Sequence, residues 1–115
     1  MFKALLAAIT QLFMIGAAWA AGSLQFTCSG DRIEPAGLAR APITLSVVFS
    51  PANHVSKVMV DFGQRTVNAP VMSNNIIQLK FRTEDFTGEY FYYTRDLFLI
   101  YKSGHLARLA CIPPQ

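Results

Sequence analysis

The chain has 115 residues, a formal net charge of +3 at pH 7 and two cysteines. This length suits one domain and no more. Charge this mild does not indicate nucleic acid or an anionic membrane surface as a partner, and composition alone does not identify a function.

The first predicted element is a secretory signal peptide over residues 1–20. It has a basic start at Lys3, an apolar run from Ala4 to Ala18, and small residues in Ala18-Trp19-Ala20. An uncleaved membrane anchor is disfavoured, because the apolar run is shorter than the ~20 residues that a bilayer needs. We expect one mature domain, residues 21–115, in the periplasm or outside the cell, with no stable membrane anchor after cleavage.

The next segments predict two strands and a long loop. Leu24 to Ser29 alternates apolar and polar residues, and so does Ile43 to Phe49. Between them, residues 30–42 are rich in Gly, Pro and charge, which is typical of a long loop. Because binding often occurs in long loops, the Asp31–Pro42 segment is a candidate for partner contact.

Six further strands are predicted in the remainder of the chain. Pro70 is expected to end one of them, because proline cannot donate a hydrogen bond to a sheet. The final joints, Arg95-Asp96 and Lys102-Ser103-Gly104-His105, are too short for a crossover helix and indicate an antiparallel meander. The six runs are Val55–Phe62, Arg65–Val71, Ile76–Arg82, Glu89–Thr94, Leu97–Tyr101 and Leu106–Ile112.

About eight short strands predict an all-β fold, either an antiparallel up-and-down barrel or a sandwich. Cys28 and Cys111 lie on the apolar faces of the first and last strands, and an oxidising compartment favours a disulfide between them. A redox role would more usually show a Cys-x-x-Cys spacing. A disulfide requires Cα atoms within roughly 7 Å, so the two outermost strands meet and a closed barrel is favoured.

Short sequences around the two cysteines carry a resemblance. Phe26-Thr27-Cys28-Ser29-Gly30 and Leu109-Ala110-Cys111-Ile112-Pro113, after a signal peptide, resemble a group of small uncharacterised exported β proteins of proteobacteria. Gly88-Glu89-Tyr90-Phe91-Tyr92 departs from their Gly-x-Ile-Asp-Arg turn. The architecture is also similar to periplasmic lysozyme-inhibitor barrels, in shape and compartment only, because their Ser-x-x-Gly loop and Trp-x-x-Gly strand are missing from the mature chain.

The sequence predicts no catalytic, metal or cofactor site. His54 and His105 fall in predicted turns, and no clustered ligands or Gly-x-Ser-x-Gly elbow occur. Glu84 and Asp85 are adjacent in a polar joint, where their side chains diverge. An enzyme is therefore not expected, although a hydrolase site assembled from distant residues stays an alternative.

An aromatic run with basic neighbours is the strongest candidate for binding. In Tyr90-Phe91-Tyr92-Tyr93 both faces of a strand are aromatic, and the pattern leaves open which face lines the core. Packing on both sides of the barrel wall is the commoner explanation for such a run. The functional interpretation is a patch that docks a protein, a glycan or an acidic ligand, and its candidate residues are Tyr90, Tyr92, Arg95, Tyr101, Lys102 and Arg108.

We therefore expect a secreted or periplasmic, non-catalytic binding module that engages a protein partner, with inhibition of a hydrolase as one form. Lysozyme is disfavoured as the target, because cationic lysozymes usually meet acidic inhibitors. A carrier of small apolar ligands is an alternative, but the interior of an eight-stranded barrel is normally filled by side chains. Interleaved aromatic and basic residues also suit single-stranded nucleic acid, which export makes an unsuitable partner.

Overall fold

The computed structural model describes residues 22–37 and 39–113, so the predicted signal peptide lies outside the described residues. Within these ranges, eight antiparallel strands form one closed barrel. The same ranges contain no helix long and apolar enough to cross a membrane. The strands are β1 (Leu24–Ile33), β2 (Arg40–Ser50), β3 (Lys57–Asp61), β4 (Thr66–Asn74), β5 (Gln78–Arg82), β6 (Phe86–Phe91), β7 (Asp96–Tyr101) and β8 (Leu106–Ile112).

Each strand pairs with the next strand along the chain, and β1 also pairs with β8. The β1–β8 register runs from Thr27 opposite Ile112 to Ile33 opposite Leu106. Consecutive pairing confirms the predicted up-and-down barrel, and the sandwich alternative does not form. Closure leaves β1 and β8 with neighbours on both sides, which removes the unpaired edges of an open sheet.

The predicted disulfide is confirmed at the seam between β1 and β8. Cys28 lies opposite Cys111, their Cα atoms are 4.0 Å apart, and their sulfur atoms are bonded. Both side chains are buried in the barrel core. This bond is consistent with an oxidising compartment.

The barrel interior is filled by the apolar side chains that alternate along each strand. Phe26, Phe49 and Tyr90 form an aromatic cluster, with ring centroids 5.0–5.6 Å apart. Phe86 fills the other half of the interior, where its ring packs between those of Phe62 and Tyr101. The largest fully buried side chains are those of Phe49, Phe81, Phe86, Leu79, Leu97, Leu99, Leu109, Val47, Val58, Val60 and Cys28.

The connecting turns alternate between two ends of the barrel, because each strand reverses the chain direction. One end carries residues 34–37, 39, 62–65, 83–85 and 102–105, and we name it the charged end. The opposite end carries the chain start at Gly22 and residues 51–56, 75–77 and 92–95, and we name it the apolar end. The two ends therefore present different side chains to solvent.

Three local predictions are wrong. The strand predicted over Glu89–Thr94 begins and ends three residues earlier, as β6 (Phe86–Phe91), and a turn follows it. The predicted loop over residues 30–42 is mostly strand, because β1 continues to Ile33 and β2 begins at Arg40, where the two strands pair. Backbone pairing in a hairpin does not need an apolar pattern, so the composition was misleading. Pro70 does not end β4, which continues to Asn74; β4 pairs with β5 only from Val71 onward, so proline breaks no β4–β5 ladder there.

Candidate partner-binding site

The six predicted partner-binding residues do not form one patch. The β6–β7 turn and the β7–β8 turn lie at opposite ends of the barrel, because a single strand separates them. One half of the predicted patch is thus separated from the other by the length of β7. Tyr92 and Arg95 lie at the apolar end, Tyr101 and Lys102 at the charged end, Tyr90 in the interior and Arg108 on the outer wall.

The aromatic run is divided by the wall of the barrel. Tyr90 faces inward and is 2% exposed, and burial raises the pKa of its hydroxyl. Tyr92 is half-buried on the same face, and its hydroxyl donates to Asn74 Oδ1 at 2.6 Å. Phe91 packs edge-on against Phe98, with ring centroids 5.9 Å apart, whereas Tyr93 is almost fully exposed. The even-numbered positions of the aromatic run therefore face the core, and Tyr90 is a core residue.

Arg95 and Arg108 hold separate positions in the fold. Arg95 has a positive φ of 63°, and its carbonyl accepts a hydrogen bond from the Cys111 N–H at 2.9 Å. Arg108 is exposed in β8, opposite Asp31 of β1 and Phe98 of β7. Arg95 thus lies at the apolar end and Arg108 on the outer wall, whereas Lys102 lies at the charged end.

A cleft of about 420 Å³ opens at the charged end, and we name it the cationic cleft. Period-two geometry places Arg32 on the same face of β1 as Cys28, so its side chain lies over the barrel opening. Tyr101 is in the equivalent position at the end of β7. The cleft is lined by Arg32, Ile43, Phe62, Gln64, Arg65, Asp85, Tyr101, Lys102 and Ser103.

Cations stack on aromatic rings in the cationic cleft. The Cζ atom of Arg32 lies 4.9 Å from the centre of the Tyr101 ring, and Cζ of Arg65 lies 5.9 Å from the centre of the Phe62 ring. Such stacking holds a guanidinium in place while its N–H groups remain able to donate. The two arginines are therefore positioned before any ligand arrives.

The cleft has an excess of positive charge. Its lining contains three cationic side chains and a single carboxylate, that of Asp85. Asp85 Oδ2 lies 3.5 Å from Arg65 Nη2, and both side chains are more than 60% exposed, so this ion pair is weak. Arg32 and Lys102 form no ion pair within the part of the chain that the structure describes. The cleft can therefore accept an anionic group.

The Tyr101 hydroxyl lies among these charges. Burial raises the pKa of Tyr101, while Arg32 and Arg65 act to lower it and Asp85 to raise it. The net direction is upward, so the hydroxyl stays protonated at neutral pH. It is available as a hydrogen-bond donor at the edge of the cleft.

Phe62 and Arg65 of the cleft were missed by sequence reasoning, and Arg32 was included only as part of the Asp31–Pro42 segment proposed for partner contact. Arg32 was assigned to a loop, although it continues the even-numbered face of β1. Phe62 continues the inward face of Val58 and Val60 in the same way. This periodicity was the signal that could have identified both residues. Nothing comparable marks Arg65, which reaches the cleft from a turn.

The chemistry that the cleft offers is ionic and aromatic contact. Among residues 22–37 and 39–113, no group of three or more His, Cys, Asp or Glu side chains is arranged to hold a metal ion. His105 lies in the β7–β8 turn, where its Nδ1 is 2.8 Å from Ser103 Oγ. The described groups suit recognition of an anion on a larger molecule.

Fold and cleft together define the class: a small, closed, disulfide-bonded antiparallel barrel with a cationic opening. Comparison with known proteins finds no match to the chain among family models, curated proteins or solved structures. The resemblances to exported proteobacterial proteins and to lysozyme-inhibitor barrels therefore stay predictions.

Proposed function

We propose that this protein is an exported, non-catalytic binding module that engages an acidic segment of a protein partner through the cationic cleft. One observation carries the proposal: three cations and two aromatic rings meet at the barrel opening against one carboxylate. A partner carboxylate would accept charge-assisted hydrogen bonds from Arg32 and Lys102. Phe62 and Tyr101 would supply the apolar contact that protein interfaces place beside such anchors.

The packing of the interior supports a binding module over a carrier of apolar ligands. A carrier needs an internal cavity for its ligand. Phe49, Phe81 and Leu97 instead fill the described interior and are fully buried. The cationic cleft lies outside this packed core, where a macromolecular partner can reach it.

Inhibition of a hydrolase is one form of the proposed activity. Many glycoside hydrolases carry paired carboxylates in an open cleft, and such pairs are complementary to a cluster of fixed cations. A cationic lysozyme fits this scheme poorly because its overall charge repels the cleft. A turbidity assay of lysozyme activity tests whether the protein inhibits this enzyme, and we expect no inhibition.

The partner can be tested by affinity capture from cell-envelope extract, followed by amine footprinting of the complex. The described residues contain three lysines, and each reports on a different surface: Lys57 at the apolar end, Lys80 on the outer wall and Lys102 in the cleft. We expect the partner to protect Lys102 from modification and to leave Lys57 and Lys80 reactive. Protection of Lys57 or Lys80 alone would contradict the proposal.

Charge variants give a second test of the same site. Arg32→Ala and Lys102→Ala should each weaken partner binding about tenfold, since each removes a hydrogen bond to a charged group. Asp85→Asn should strengthen binding, because it removes the one carboxylate of the cleft. Arg95→Ala and Arg108→Ala are matched controls outside the cleft. Equal losses in the controls would favour a different binding surface.

A further inference from the structure

The apolar end exposes three large side chains that the barrel does not use for its own packing. Tyr93 is 97% exposed, Ile76 is 93% exposed and Ile77 is 67% exposed. They lie on two turns that contact one another, because the Tyr92 N–H donates to the Ile77 carbonyl at 3.1 Å. The exposed Tyr93 ring and the two isoleucine side chains therefore project from one region. Exposed apolar groups clustered in this way commonly mark an interaction site.

The surroundings of these three exposed side chains are polar but carry little charge. Asn53, Asn74 and Asn75 line the neighbouring cleft together with Leu24 and Tyr92. The charged side chains of this end are Lys57, Arg95 and the half-buried Asp96. Two exposed cations and one half-buried carboxylate thus lie at the same end as the three exposed apolar side chains.

The chain enters the barrel at this same end. The Gly22 carbonyl accepts a hydrogen bond from the Ala52 N–H at 3.2 Å, which holds the chain start beside the β2–β3 turn. Twenty-one residues precede Gly22, and they include the apolar run from Ala4 to Ala18. The part of the chain that precedes Gly22 therefore joins the barrel at the apolar end.

We propose that the apolar end is a bilayer-contact surface, with Ile76, Ile77 and Tyr93 inserted at the boundary between headgroups and acyl chains. Tyrosine is favoured at that depth, because its ring is apolar and its hydroxyl reaches water. Lys57 and Arg95 are placed to meet lipid phosphates. This site is separate from the cationic cleft, which would face away from the membrane and remain open to a partner.

The exposure of Ile76, Ile77 and Tyr93 favours a bilayer over a protein as the partner that covers the apolar end. Anchors of protein interfaces usually lie in packed pockets that a complementary surface fills. Tyr93 and Ile76 are almost fully exposed, so neither side chain is packed into a pocket of its own, although Ile76 borders the asparagine-lined cleft. A bilayer requires no shape complementarity, because lipids rearrange around an inserted side chain.

A tryptophan reporter tests insertion directly. In the mature chain, residues 21–115, which lacks Trp19 and the apolar run before it, Tyr93→Trp places a single tryptophan at the apolar end. Vesicles of phosphatidylethanolamine and phosphatidylglycerol should shift its emission to shorter wavelength, and brominated acyl chains should quench it. Ile100→Trp in the same mature chain is the control, because Ile100 is exposed on β7 near the charged end. We expect neither change for the control.

Vesicle flotation supplies an independent measurement. The exported protein should float with the vesicles, and the double variant Ile76→Ser with Ile77→Ser should partition at least about tenfold more weakly. Met72→Ser, which removes an exposed apolar side chain from the outer wall, should partition like the parent. The proposal fails if the parent does not float or if both reporters shift equally. It also fails if the Tyr93→Trp shift appears without vesicles and grows with protein concentration, since a second copy would then cover this end.

Discussion

Cys28 lies directly opposite Cys111, and their disulfide crosses the seam at which the barrel closes. The two residues are separated by 83 positions in the chain, yet their Cα atoms are 4.0 Å apart. One covalent bond therefore joins the first strand to the last. Backbone pairing of β1 with β8 and the buried side chains of Ala107 and Leu109 hold the same seam without a covalent bond.

Removing this disulfide should destabilise the barrel without abolishing the fold. Replacing both cysteines by alanine frees the long loop between them in the unfolded chain, which should lower the free energy of unfolding by about 4 kcal/mol. Urea titration of the parent and the double variant measures the difference. A difference below about 1 kcal/mol would show that non-covalent pairing at the seam is sufficient.

A close contact between Phe81 and Gly88 should make position 88 intolerant of a side chain. These residues are cross-strand partners, and a β-carbon at position 88 would overlap the Phe81 ring. Gly88→Ala should therefore lower the free energy of unfolding by about 1–3 kcal/mol. In a Phe81→Leu background the same substitution should cost less, because the smaller side chain leaves room. An equal cost in both backgrounds would contradict this explanation.

The backbone conformation at Arg95 should determine which substitutions are least destabilising at that position. Its φ of 63° lies in the left-handed region, which glycine adopts freely and β-branched residues avoid. Arg95→Val should be less stable than Arg95→Gly by about 1–2 kcal/mol in urea unfolding. The same pair at Arg108, within strand β8, should rank in the opposite order, because valine suits a strand better than glycine. Identical ranking at both positions would argue against backbone strain at Arg95.

Stability should decline in alkali through three tyrosines that the fold buries wholly or in part. Burial raises the pKa of Tyr90, Tyr92 and Tyr101 above the ordinary value of 10.0. The folded protein thus holds these protons more tightly than the unfolded chain does. Their contribution to stability is complete below pH 10 and is lost as the pH rises through the raised pKa values. Urea unfolding at about pH 9 and pH 11 should show the decline, and Tyr101→Phe should make it shallower. An unchanged slope would exclude Tyr101 as a contributor.

The candidate site was predicted only in part. Tyr101 and Lys102 were recognised as basic and aromatic neighbours in the chain, and both line the cationic cleft. Arg32 and Arg65 come from distant parts of the sequence, and only closure of the barrel brings them beside Tyr101. Tyr92 and Arg95 were grouped with Lys102 by proximity in sequence. A strand of six residues, β7, separates them in space.

The sequence by itself determined the approximate number of strands, the inward face of strands with a clear alternation such as Ile43–Phe49, and the pairing of Cys28 with Cys111, because strand periodicity and cysteine chemistry are local properties. The tertiary structure decided which face of the aromatic run turned inward and how far β1 and β2 extended. It also decided at which end of the barrel each cation lies. Those outcomes depend on strand register and on the reversal of direction at every turn, so they are properties of the closed barrel and not of any single segment.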